Sequence, residues 1–268
     1  MLVINEPTGG RLAQARGGYG RGVTIPGPVS QAEHNRQTRD AYNRLAAVWS
    51  ATTDDGPFNG LLERPALRAL VPADLAGASV LDAGCGSGAQ AEWLLDRGAD
   101  VVGIDLSPRM IEEARRRCQD RGTFLVADLA EPLPVEPRSL DGITCSLALH
   151  YLRDWSVPLG SFASALRPGG WAVISLDHPF GQHPGHRGGY FGTELITDTW
   201  RKADVEVSQQ FWRRPLSAVA AAFAAAGFVI DRIAEPQPSK EALERFPSDL
   251  AGLAGVPTFI IYRLRLAG

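Results

Sequence analysis

Residues 80–90 read VLDAGCGSGAQ: an apolar run, one carboxylate, then three glycines at alternate positions. Gly84 and Gly86 allow a backbone to turn tightly and to approach a ligand closely, and a helix begun near Gly88 aims its positive end at the same point. The core Gly84-Cys85-Gly86-Ser87-Gly88-Ala89 also fits G-x-G-x-x-A, a dinucleotide-loop pattern. About twenty residues on, Asp105 closes a second apolar run, at the spacing where a carboxylate takes both ribose hydroxyls. Up to here two ligands are served equally. Asp82 separates them, because a carboxylate two residues before the first glycine repels a pyrophosphate and attracts an ammonium or a sulfonium. Asp128, in VADLAEPLP, fits the same scheme as an acceptor for an adenine amino group, with Leu106 and Leu129 as apolar walls.

These residues need strand-to-helix turns to hold them. Strand 79–83 leads to helix 88–97, strand 101–105 to helix 108–120, and strand 123–127 to a proline-broken stretch. Strand 140–146 then leads to helix 157–167, and strand 171–177 to a long irregular segment. Such alternation means parallel βαβ units, so the fold class is α/β with a doubly wound, mostly parallel sheet covered on both faces. PLSAVAAAFAAA, 215–226, is a helix with proline in its first turn and Gly227 at its stop. Strands 228–234 and 257–265 follow.

Upstream, Ala41, Leu45, Val48 and Trp49 recur at helical spacing over 31–50, DDGPFNG breaks that helix, and a second runs over 59–71. Residues 1–30 mix seven glycines with prolines and carry too much backbone entropy to pack alone. The expected organisation is a flexible tail over 1–30, a helical cap over 31–75, and a catalytic domain over 76–268 with a lid insertion at 178–214.

Composition narrows the function classes. A net charge of -3 over 268 residues offers no general basic field for a nucleic acid. Cys85, Cys118 and Cys145 form no C-x-x-C pair, which points to buried thiols in a reducing compartment. No stretch approaches the roughly 18 apolar residues that span a bilayer, and the N-terminus lacks the order of a signal peptide. The expectation is a cytoplasmic chain, monomer or homodimer, with a small-molecule substrate and neither nucleic acid nor membrane as partner.

At VLDAGCGSGAQAEWLLDRGADVVGIDLSPRMIEEARRR, VADLAEPLP, DGITCSLALHYLRDW and LRPGGWAVIS the chain resembles the class I S-adenosylmethionine-dependent methyltransferases. The resemblance covers roughly residues 31–265 and is most specific in the cofactor-binding half. It implies a seven-stranded sheet whose last strand is antiparallel, with S-adenosylmethionine over the carboxyl ends of the first strands. It further implies that Asp82, Gly84, Cys85 and Gly86 face the methionine part, Asp105 and Leu106 the ribose and adenine edge, and Asp128 and Leu129 the adenine. Ser146 would meet the methionine amino group through its backbone, and Met110 joins the cofactor set. Tyr42 matches an aromatic that often covers the cofactor; plain packing on a helix face is the other reading of Tyr42 and Trp49.

Methyl transfer from a sulfonium is an in-line displacement that needs alignment and a dry site, and a base only when the nucleophile must lose a proton. His178, just past the fifth strand, His150 at the end of the fourth, and Tyr190 in the lid are the catalytic candidates. For His178 a bond to a loop carbonyl is an equal reading, and His150 matches a histidine commonly structural in the family. His183 and His186 share the lid with Phe191 and Trp200, but stiff His-Pro turns and the lack of a nearby cysteine argue against a metal. Arg213 and Arg214 either grip a substrate carboxylate or stand solvated on a loop. The expected activity is methylation of a small organic acceptor. The alternatives are methylation of a protein or RNA, a cofactor-binding cyclase or regulator, and a nicotinamide-dependent oxidoreductase.

Overall fold

The computed structural model describes residues 30–267 apart from 120, 181–189 and 254. The tail expected over 1–30 therefore lies almost wholly outside the described residues, as do His183 and His186. Helix α1 (Gln31–Thr52) starts where Ser30 Oγ accepts the Glu33 N–H at 3.2 Å, and it runs two residues past the expected end. The expected second helix is two pieces, a π-helical turn Asn59–Glu63 and then α2 (Arg64–Leu70) with Pro65 in its first turn.

The alternating elements follow the expected order. They are β1 (Ser79–Ala83), α3 (Ala89–Leu95), β2 (Asp100–Asp105), α4 (Pro108–Cys118), β3 (Thr123–Val126), β4 (Leu140–Ser146), α5 (Ser156–Ala165) and β5 (Leu166–Asp177). Towards the C-terminus come α6 (Leu216–Ala225), β8 (Phe228–Ala234) and β9 (Phe259–Leu266), with two short helices, α7 (Lys240–Arg245) and α8 (Pro247–Leu250), that the patterning does not show. The seven-stranded sheet has the order β3-β2-β1-β4-β5-β9-β8. β1 to β5 pair in parallel, while the last strand, β9, runs antiparallel to both β5 and β8.

Period-two alternation splits the core in two. Leu81, Ala83, Ala172, Ile174, Ile260, Tyr262 and Leu264 face α5 and α6, packing on Leu159, Phe162, Val219 and Phe223. Val80, Val101, Val173 and Ile261 face the other way, onto Leu67, Leu94 and Ile111 from α2, α3 and α4. Burial on both faces is why these strands read as continuous apolar runs. All three cysteines are buried and unpaired. Among the described residues no helix is long and apolar enough to cross a membrane.

The segment after β5, expected to be an irregular lid, contains a hairpin of β6 (Glu194–Lys202) and β7 (Val205–Arg213). The connection is only Ala203 and Asp204, with Ala203 at φ +50°. Two-residue hairpin turns need positive φ, and sequence normally announces them with Asn-Gly or Asp-Gly. Ala-Asp carries no such signal, so the alternation of ITDTW and VEVSQQFW had no visible turn to join it.

Candidate functional site

The order of strands reverses direction between β1 and β4, and in open α/β sheets ligands bind beyond the carboxyl ends at such a point. A cavity of about 1340 Å³, counted out to its open mouth, occupies this place. Its lining runs from Asp82, Asp105 and Asp128 at one end to Trp49, Trp200 and Phe211 at the other.

The loop after β1 is tied to β2 through backbone groups. The Gly84 and Cys85 N–H groups both donate to the Ile104 carbonyl, and the Gly86 N–H donates to Asp105 Oδ2 at 3.0 Å. Gly84 (φ +73°) and Gly86 (φ +52°) both require the left-handed region, for different ends. A Cβ on Gly84 would stand 2.4 Å from the Ala148 Cβ, where the loops after β1 and β4 meet. A Cβ on Gly86 would meet nothing within 4 Å and would enter the cavity.

Of the residues singled out from sequence, Tyr42, Asp82, Gly84, Cys85, Gly86, Asp105, Leu106, Asp128, Leu129, Ser146 and His150 line this one cavity. Asp82 is 1% exposed; its Oδ1 accepts from Thr144 Oγ1 at 2.9 Å, and its Oδ2 has no hydrogen-bond partner among the described residues. Burial, with the Asp105 and Glu63 carboxylates nearby, pushes the Asp82 carboxyl up to about 7. Asp105 is pushed up to about 6 by burial, although the Ser107 and Gly86 N–H groups hold its charged form. Asp128 accepts from the Ala130 N–H at 2.8 Å and from Asn35 Nδ2 at 2.5 Å. Burial raises the Cys85 thiol, which makes it a wall and not a nucleophile.

Three sequence candidates stand elsewhere. Met110 is buried, its N–H capping α4 against Ser107 Oγ at 3.1 Å, and it does not line the cavity. His178 accepts the Phe180 N–H on Nδ1 at 3.2 Å, so its proton sits on Nε2, 2.9 Å from Glu235 Oε1. The Tyr190 hydroxyl accepts the Leu216 N–H at 3.1 Å. Both arginines are buried and bonded within the chain, so neither stands solvated on a loop. Arg213 pairs with Glu194 at 2.9 Å, and Arg214 donates to the Leu152 carbonyl at 2.9 Å while stacking on Trp155.

The remaining half of the cavity is built by segments distant in sequence. Asn35, Thr38, Tyr42 and Trp49 fall three, four and seven apart on α1, one stripe facing inward. On β6, Asp198 and Trp200 share a face, and Ile196 on that face sits opposite Phe211 of β7. Tyr42 meets Trp49, Tyr151 and Trp200 edge-on at 5.8, 5.8 and 6.4 Å, and its hydroxyl bonds that of Tyr151 at 2.7 Å. Trp49 and Trp200 stack at 5.9 Å. Trp200 is aimed by its own strand, since its indole N–H donates to Asp198 Oδ2 at 3.1 Å.

Asp177, the last residue of β5, and Glu63 were not legible as site residues. Glu63, wholly buried, accepts from Ser146 Oγ at 2.9 Å and from Ser175 Oγ at 2.5 Å. Asp177 carries no signal of its own beside His178, and since adjacent residues of a strand point to opposite faces, only one of the two turns inward.

A family model described as a methyltransferase domain matches residues 81–174. An S-adenosylmethionine-dependent methyltransferase of Mesorhizobium loti, known as a crystal structure, is 30% identical. The match covers 76% of this chain and 97% of that one, with a TM-score of 0.62. A ubiquinone biosynthesis O-methyltransferase of Xanthomonas campestris is 31% identical over 159 residues, 56% of this chain and 65% of that protein. An uncharacterized protein of Haemophilus influenzae is 36% identical over 129 residues, 46% of this chain and 50% of its own length. The chain thus spans about half to just under two thirds of these two curated relatives.

Proposed function

The chain belongs to the class I S-adenosylmethionine-dependent methyltransferases, and from that premise we propose that it transfers the methyl group to a small organic acceptor held in the aromatic half of the cavity. The observation that carries this reading is the meeting, in one cavity, of Asp82, the open Gly86 cradle, Asp105 and Asp128 with a second, aromatic-lined space. The donor set suits a cationic nucleoside. The unpartnered Asp82 Oδ2 offers a buried anion, and Asp105 keeps lone pairs for ribose hydroxyls. Asp128, braced by Asn35, offers an acceptor to an adenine amino group, between Leu106 and Leu129.

When bound, S-adenosylmethionine supplies an electrophilic methyl carbon on a positive sulfur. The chain's own work is to orient both ligands and to keep water out, the larger part of catalysis for an in-line displacement. The aromatic cluster of α1, β6 and β7 supplies that enclosure. His150 stays neutral here: burial first, then the Arg214 and His34 charges, bring its imidazole down to about 3. We give no proton transfer to His178 or Tyr190, whose polar atoms are turned to Glu235 and to the start of α6. The same reading keeps a cytoplasmic monomer or homodimer, without nucleic-acid or membrane partner, and takes the β6–β7 hairpin, through Asp198, Trp200 and Phe211, as part of the acceptor pocket.

Calorimetric titration with S-adenosylmethionine tests it. Binding is expected, and Asp105→Ala should weaken it by roughly 10²-fold, about 2.7 kcal/mol, since the loop also loses its Gly86 anchor. A wild-type chain that does not bind the cofactor overturns the proposal.

A further inference from the structure

We propose that the acceptor is an amine that enters as its ammonium ion and is held by Asp177 and His150 within the rings of Tyr42, Trp49, Trp200 and Phe211. This rests on the methyltransferase reading and names the substrate class of the same site.

Charge comes first. The described residues lining the cavity include Asp82, Asp105, Asp128, Asp177 and Asp198 against one guanidinium, Arg64, which is already engaged by Asp54 at 2.7 Å. A phenolate or carboxylate entering the aromatic half would meet Asp177 and Asp198 as like charges, whereas an ammonium is attracted to both. Aromatic faces add to the preference, because their quadrupoles favour a cation, most of all one shielded from water.

Hydrogen-bond capacity then separates an amine from a neutral alcohol. His150 is 5% exposed, and its Nδ1 has no hydrogen-bond partner among the described residues. It stands 3.8 Å from Asp177 Oδ2. With the ring proton on Nε2, Nδ1 is an acceptor, so two acceptors face each other across a gap that one shared donor atom bridges at about 2.9 Å to each. An ammonium has N–H groups for both. A hydroxyl has a single hydrogen and leaves one acceptor unsatisfied, at a cost that makes such sites discriminate strongly.

The nitrogen must shed a proton before it can attack, and Asp177 is suited to take it. Burial, with Asp198 and Glu63 adding repulsion, pushes its carboxyl up to about 7. The freed lone pair forms the nitrogen–carbon bond. The carbon–sulfur bond breaks with its electron pair on sulfur, turning the sulfonium into a neutral thioether, and the methylated nitrogen carries away the positive charge.

The test uses benzylamine, an ammonium at neutral pH, and benzyl alcohol, its near-isosteric neutral counterpart, each titrated into the full chain saturated with S-adenosylhomocysteine. The amine is expected to bind at least roughly tenfold tighter, about 1.4 kcal/mol. Asp177→Asn should weaken the amine about tenfold and leave the alcohol within about threefold, with S-adenosylhomocysteine affinity retained as proof of folding. Equal affinities, tighter alcohol binding, no detectable amine binding to the loaded chain, or an unaffected Asp177→Asn variant each overturn the inference. Failure of the wild type to bind S-adenosylhomocysteine instead removes the methyltransferase reading on which it stands.

Discussion

Two neighbouring glycines, alike in backbone conformation, should respond to the same substitution in opposite ways. Gly84→Ala places a methyl 2.4 Å from the Ala148 Cβ at a residue with φ +73°. Left-handed strain alone costs about 1–2 kcal/mol. Carbon atoms at rest sit about 3.5–4 Å apart, so the overlap exceeds 1 Å and adds roughly 1–3 kcal/mol of overpacking. The total is about 2–5 kcal/mol of lost stability, and at roughly 2–4 °C per kcal/mol for a chain of this size the Tm should fall by about 4 to 20 °C.

Gly86→Ala at φ +52° carries the strain but meets nothing, so it should cost only about 1–2 kcal/mol while placing its methyl where a ligand belongs. Its S-adenosylhomocysteine affinity should drop at least tenfold, about 1.4 kcal/mol. Urea denaturation and calorimetry read the two effects separately. Ala148→Gly is the control, since it removes the struck methyl: it should restore about 1–3 kcal/mol to Gly84→Ala through a non-additive term and nothing to Gly86→Ala. Additive behaviour of the 84/148 pair, or undiminished ligand affinity in Gly86→Ala, would refute the division of labour.

Two further outcomes follow from the buried carboxylates. Asp82 and Asp105 hold their protons to about 7 and 6, above the free-carboxyl range, whereas a bound cation favours their ionised forms. Cofactor binding should therefore release protons and tighten as pH rises from 5 to 7.5, by up to about tenfold per pH unit for each proton displaced; calorimetry in two buffers of different ionisation enthalpy reads this, and a flat profile would contradict it. Glu63→Ala strands the Ser146 and Ser175 hydroxyls and should cost about 2–4 kcal/mol by urea denaturation. Glu63→Gln keeps an acceptor and relieves repulsion of Asp82 and Asp177, so it should stay within about 1 kcal/mol of wild type.

The cofactor half was legible because its signals are local. Asp82, Gly84 and Gly86 lie within five residues, and Asp105 follows at the distance one βαβ unit imposes. The alternation of strands and helices was legible for the same reason, since each element's period shows within a short window. What stayed hidden depends on contacts that no short window contains. Asn35 meets Asp128, and Tyr42 meets Tyr151 and Trp200, across gaps of 93, 109 and 158 positions. The Ala203–Asp204 turn lacked its usual residues, so the hairpin that brings Asp198 and Trp200 inward read as a loop. Glu63 sits in a π-helical turn beside Arg64, where nothing local marks it as wholly buried.

Helix α1 touches both ends of the cavity: Asn35 braces Asp128 at the nucleoside end, and Trp49, fourteen residues or about 21 Å along the axis, stacks on Trp200 at the other. A single rigid rod lying along two adjoining seats makes their occupancies a shared property. Whichever guest arrives first bears the ordering cost of the rod, and the second binds to a chain already stiffened, which by reciprocity strengthens each guest for the other. A substitution at either end of the rod, Asn35→Ala or Trp49→Ala, should therefore be felt in the affinity of both guests.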